Sequence, residues 1–138
     1  MFGNVPLSTD FTDTETKPNS TRSEVYNFVK SELDAVIPLL SDKKDATTYG
    51  RINKWAALAI RMQLQLNAEV YTGTAQWAGA KADADAIINS GLYQLEAVYS
   101  DNFKEQNEGS SENIFVVPYD EVFANGFNWV AMSLHYAS

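Results

Sequence analysis

His135 is the only histidine among 138 residues, and the chain has no cysteine. Ser/His/Asp relays, multi-histidine metal centres, disulfides and thiolate chemistry therefore lack their parts. His135, between Leu134 and Tyr136, is read as a packed or surface residue without a catalytic role. Carboxylates are plentiful, with Asp83 and Asp85, Glu105 and Glu108, and Asp120 and Glu121 as close pairs. A glycosidase needs two carboxyls roughly 5–10 Å apart across a cleft. Two positions apart on a helix, Asp83 and Asp85 diverge. Adjacent residues on extended chain, such as Asp120 and Glu121, point to opposite sides. Glu105 and Glu108 fall in a polar loop. All six are read as solvated surface, so no catalytic residue is assigned and the chain is expected not to be an enzyme. Residues 101–109 hold oxygen ligands without the spacing of a calcium loop, so no metal is assigned either. The glycines are isolated and build no phosphate cradle, and no cofactor is expected.

Binding chemistry remains. Residues 101–138 contain seven of the chain's seventeen aromatics, many within irregular, Gly- and Asn-containing sequence. In Phe123-Ala-Asn-Gly-Phe-Asn-Trp129 the backbone signals favour a loop. Aromatic rings stack on the apolar C–H faces of sugars, and neighbouring amides hydrogen-bond the hydroxyls. Trp129, Asn128, Tyr119 and Phe127 are accordingly the candidate ligand-binding residues. The alternative is that Phe127 and Trp129 simply cover a helical core.

Charge narrows the partners. Ten Lys and Arg against eighteen Asp and Glu leave a net charge of −8. That field repels phosphate backbones and anionic headgroups, so no nucleic-acid partner is expected. No apolar run approaches the roughly 18 residues of a membrane-spanning helix, so this segment is not expected to insert into a bilayer. Residues 1–10 show neither the basic start nor the apolar core of a signal peptide. With 45% hydrophobic and 20% charged residues, the composition is that of one globular domain.

The elements that must position these residues follow from apolar period and punctuation. Residues 1–20, with Pro6, Pro18 and many Ser, Thr and Asp, read as an extended lead-in. Thr21-Arg-Ser-Glu24 is a capping box that opens a helix over 21–40. Its apolar face is Val25, Phe28, Val29, Leu33, Val36, Ile37 and Leu40, and Pro38 limits its end. A polar connection over 41–50 leads to a second helix over 52–71, the most apolar element, stopped by Gly73. A third helix over 76–90 is rich in alanine and stops at Gly91. Trp55 is expected in the core, and Trp77 between helices. Leu64, Ala68, Tyr71, Ala80, Ala84 and Ile87 follow the large–small register of a tetratricopeptide-like unit, two antiparallel helices packed through alanines. After Gly91 the chain becomes loop-rich, with a helical turn near 99–104 and one short strand, Ile114-Phe-Val-Val117, ended by Pro118. The fold class is therefore mainly α, with tetratricopeptide-like antiparallel helix pairs, a loop-rich C-terminal part and one short strand.

Seven phrases occur in order. They are Pro6-Leu-Ser-Thr9; Thr21-Arg-Ser-Glu-Val-Tyr-Asn-Phe28 with Ser31-Glu-Leu33; and Gly50-Arg-Ile-Asn-Lys-Trp-Ala-Ala57. Leu66-Asn-Ala-Glu-Val-Tyr71, Ala86-Ile-Ile-Asn-Ser-Gly-Leu-Tyr93, Asn102-Phe-Lys104 with Asn107-Glu108, and Glu112-Asn-Ile-Phe-Val-Val-Pro-Tyr119 complete the series. This succession resembles the SusD/RagB family of surface glycan-binding lipoproteins. The resemblance implies a helical fold with tetratricopeptide-like pairs, and non-catalytic capture of oligo- or polysaccharide beside a TonB-dependent, SusC-like outer-membrane transporter. It also implies a surface-exposed outer-membrane lipoprotein, of which this chain, without a lipidation cysteine, would be an internal fragment. Residues 1–138 would then form a single partial domain: lead-in 1–20, helical 21–91, and an aromatic, loop-rich 92–138. The alternatives are a protein–protein scaffold docking on that transporter, a hydrolase fragment, or peptide as the cargo. No family motif marks ligand residues here, so none is carried over.

Overall fold

A computed structural model describes residues 3–119. Four helices, α1 (Arg22–Val36), α2 (Lys54–Leu66), α3 (Ala68–Thr72) and α4 (Trp77–Asn89), make up its regular structure, with short 3₁₀ turns at Ile37–Leu39 and Tyr99–Phe103. Each begins or ends where local chemistry says it should. The Thr21 amide donates to Glu24 Oε2 at 2.6 Å, and the Glu24 amide donates to Thr21 Oγ1 at 3.2 Å, completing the capping box. Asn53 caps α2 by accepting the Ala56 amide at 2.9 Å, and its own amide reaches the Lys43 carbonyl at 3.2 Å. One side chain thereby starts the helix and ties down the connection before it, which explains why Asn53 is buried. Such a cap contributes about 1 kcal/mol. Gly73 closes α3 in the left-handed conformation at φ 77°.

Two helices are shorter than their apolar pattern predicts. The α-helical part of the first ends at Val36, and residues Ile37–Leu39 tighten into a 3₁₀ turn. Pro38 has no amide to give and crowds the carbonyl four residues back, so the α ladder stops ahead of it. The second breaks at Asn67, whose φ of −98° and ψ of 10° leave the helical region. Its side-chain amide donates to the Gln63 carbonyl at 2.9 Å, while its backbone amide reaches the same oxygen only at 3.4 Å. Local side-chain bonding competes with the ladder, as Asn does.

α2 and α4 pack antiparallel. Arg61 meets Asp83, Gln65 approaches Gly79, and Ala57 and Leu58 share a cluster with Ile87, so positions rise on one helix as they fall on the other. Alanines Ala56, Ala57, Ala68 and Ala80 are buried, and the six positions of the tetratricopeptide register are all buried or half-buried. The core has two centres. Ile37, Ala57, Leu58 and Ile87 form one, with Trp55, Tyr93 and Ile114 against it; Tyr26, Leu64 and Ala68 form the other, with Val29 and Tyr71 against it. Leu33 touches both. The expected apolar face of the first helix is largely the observed one, with Val25 and Ile37 buried and Phe28, Val29, Leu33 and Leu40 half-buried; Tyr26 is buried in addition, whereas Val36 is exposed.

Three further expectations are corrected. Ile114-Phe-Val-Val117 is not a strand, because no other segment among the described residues offers it a pairing edge; Ile114 instead plugs the first core centre. Trp77 is 60% exposed rather than interhelical. The register that pairs Gln65 with Gly79 would bring Trp77 level with Asn67, where α2 has already ended. Asp83 is buried rather than solvated, since Arg61 and Gln65 both donate to it.

Candidate functional site

Two irregular segments, 41–53 and 92–119, come together beside the helix pair and are knit by polar contacts. Lys44 Nζ donates to the Ser111 carbonyl at 3.0 Å and the Leu92 carbonyl at 3.3 Å, and lies 4.3 Å from the centre of the Tyr93 ring. Partial burial pulls the Lys44 ammonium below its ordinary pKa. Glu96 accepts the Ser111 amide at 2.6 Å, which holds its carboxyl below the usual range, and Glu112 accepts the Glu96 amide at 3.1 Å. Each carboxylate therefore fixes backbone on the opposite side of the loop. Asn102 is a second hub: its amide donates to Glu112 at 2.8 Å, its side-chain oxygen accepts from Ser110 at 2.6 Å, and its carbonyl accepts from Asn107 at 2.7 Å. These bonds make a loop of poor helix and strand propensity adopt one shape.

The shape leaves an open groove of about 950 Å³. Its walls carry the rings of Tyr49 and Tyr119, 45% and 67% exposed, between the amides of Gln106, Asn107 and Asn113 and the carboxylates of Glu105 and Glu108. Gly50 determines that the two rings share one groove. It sits at φ 69°, and a Cβ there would come within 3.0 Å of the Pro118 ring. Only glycine combines that backbone with such close approach, so residues 118 and 119 can lie directly against the Tyr49–Gly50 turn. Rings with exposed faces and amides with free hydrogen-bonding capacity suit a polyhydroxylated ligand better than an apolar one.

Of the residues singled out in the sequence, Tyr119 lies in this groove. Trp129, Asn128 and Phe127 fall outside the described residues, as do Asp120, Glu121 and His135. Tyr49 and the amides of the 102–113 loop were not singled out. Tyr49 ends a polar stretch with no pattern of its own, and its only signal was the neighbouring Gly50. Glu105 and Glu108 are exposed, as expected. Among the described residues no group of three or more His, Cys, Asp or Glu could hold a metal ion, and no helix is long and apolar enough to cross a membrane.

No protein-family model matches the chain. The starch-binding protein SusD of Bacteroides thetaiotaomicron is 29% identical over 119 residues, which cover 84% of this chain and 21% of SusD. The chain therefore spans about a fifth of the length of that relative. A SusD-like protein from Bacteroides fragilis superposes with a TM-score of 0.69 at 23% identity, covering 85% of this chain and 23% of its own. Surface glycan-binding protein A of Bacteroides thetaiotaomicron, solved with laminarihexaose, gives a TM-score of 0.68 at 28% identity, over 85% of this chain and 24% of its own. The chain is similar to SusD in sequence and to SusD-like proteins in fold.

Proposed function

We propose that this chain binds glycan without breaking it, at the outer surface of the outer membrane, and presents it to a TonB-dependent, SusC-like transporter. The observation that carries the reading is the groove in which Tyr49 and Tyr119 stand exposed beside amides with free hydrogen-bonding capacity. Stacking on those rings supplies the affinity, because hydroxyl hydrogen bonds largely exchange with water and yield roughly 1 kcal/mol each. The amides orient the sugar. Trp129, Asn128 and Phe127, eight to ten positions beyond Tyr119 in sequence, are proposed as further ligand residues on their chemistry alone. Starch binding by one relative and laminarihexaose bound to another support this chemistry.

The test is calorimetry of the chain with maltohexaose and laminarihexaose, repeated with Tyr49→Ala and Tyr119→Ala, alongside an assay for released reducing sugar. Saturable heat that weakens in both variants, without sugar release, supports the reading. Binding indifferent to both rings would place the site elsewhere, and sugar release would make the chain a hydrolase.

A second reading, docking on the transporter, is favoured by Leu66, Val70 and Trp77, all exposed around the α2–α3–α4 turns. Co-purification with the transporter that is lost in Trp77→Ser would support it.

A further inference from the structure

We propose, resting on the glycan reading of this groove, that the site selects uncharged oligosaccharides and rejects those bearing uronate or sulfate groups. Capture of an anionic sugar calls for arginine or lysine, whose N–H groups meet carboxylate or sulfate oxygens in charge-assisted bonds. The groove has no such group among its described lining residues, and it presents Glu105 and Glu108. Lys104, the nearest cation in sequence, is paired with Asp101 at 2.7 Å. Arg51 and Lys44 line an adjoining cavity of about 60 Å³, and Lys44 is directed at two backbone carbonyls.

From Glu105 to Ser138 the sequence contains no lysine or arginine. The net charge of −8 extends the repulsion beyond the site. A neutral hexose meets none of these obstacles: the tyrosine faces accept its C–H surface, and Gln106 and Asn113 can exchange hydrogen bonds with its hydroxyls.

The experiment is an array of neutral and acidic oligosaccharides probed with the 138-residue chain, followed by calorimetry with the best neutral binder and with hexagalacturonate at low and high salt. Binding confined to neutral members is the expected result. The double variant Glu105→Gln/Glu108→Gln should raise hexagalacturonate affinity by about tenfold at low salt, with the gain shrinking at high salt as screening removes the repulsion. Both carboxylates are exposed, so the variant should fold. Wild-type affinity for hexagalacturonate equal to that for neutral members would overturn the selectivity and leave glycan binding standing. An unchanged double variant would overturn the repulsion that the selectivity rests on. Silence across the whole array would overturn the glycan reading, and the selectivity with it.

Discussion

Arg61 on α2 grips Asp83 on α4 with two parallel hydrogen bonds, Nε to Oδ2 at 2.8 Å and Nη2 to Oδ1 at 2.6 Å. Its third nitrogen, Nη1, reaches Asp34 of α1 at 2.9 Å, so a single guanidinium joins three helices. Gln65 adds a bond to Asp83 Oδ2 at 2.8 Å. The bond to Asp83 raises the Arg61 pKa further, keeping the side chain charged throughout the working range. A planar fork matched to a carboxylate is geometry that lysine cannot reproduce. The pair is structural, because both partners are spent on each other and neither faces the groove.

Removing one partner is costly because the other stays partly buried with its charge. Asp83→Ala should therefore destabilise the chain by about 2–3 kcal/mol. Urea titration would show this as a lower midpoint with an unchanged slope. Asp85→Ala, which loses only the exposed pair with Lys81, should shift the midpoint by less than about 1 kcal/mol.

Gly79→Ala should destabilise, although alanine favours a helix interior by about 1 kcal/mol over glycine. The new Cβ would collide with Gln65 Oε1, and Gln65 cannot swing away without releasing Asp83. The double variant Gly79→Ala/Gln65→Ala should recover much of the loss, a coupling that a double-mutant cycle measures directly.

Acid should loosen the helices in a defined window. The bonds from Thr21 hold the Glu24 carboxyl below its ordinary pKa, and Lys30 does the same, ahead of Arg61, for Asp34. A carboxyl whose folded pKa is depressed stabilises the fold above its unfolded value and loses that contribution as pH falls through the folded one. Stability followed by circular dichroism should begin to fall at about pH 5, where unfolded carboxylates start to take up protons. Glu24→Gln should flatten the upper part of that fall.

Trp129→Ala is expected to abolish detectable glycan binding with helical content nearly unchanged. Tyr119→Ala should cost less, about tenfold, as loss of one stacking surface predicts. His135→Ala should change almost nothing. Unfolding of Trp129→Ala would assign that residue to the core.

Ile60, Leu66, Val70, Trp77 and Ile88 are all exposed along α2–α4. The chain by itself should bind an apolar dye and self-associate at modest concentration. Trp77→Ser should reduce both, and a clean monomer without dye binding would contradict this view of the surface.

Much of the helical frame was legible because its signals act over a few residues. Thr21 and Glu24 are one turn apart, Gly73 and Gly91 relieve strain at single positions, and the alanine register from Leu64 to Ile87 announces close packing before any partner is known. Pro38 and Asn67 were visible as punctuation, but how hard each would act depended on competing bonds that apolar period does not weigh.

By itself, then, the sequence determined where the helices lie, the antiparallel pairing of α2 with α4 and the likeness to SusD, since these rest on local sterics and on residue order. Tertiary structure decided the rest. Asp83 looks like any surface aspartate until α4 folds back and sets it against Arg61, 22 positions away. Ile114 has the makings of a strand residue until the core offers it a better place than an unpaired edge. Tyr49 and Tyr119 share a groove only because Lys44 ties its segment to Ser111, 67 positions on, and Gly50 lets Pro118 lie against it. Contacts at that separation depend on which distant surfaces meet, and no pattern confined to neighbouring residues records that.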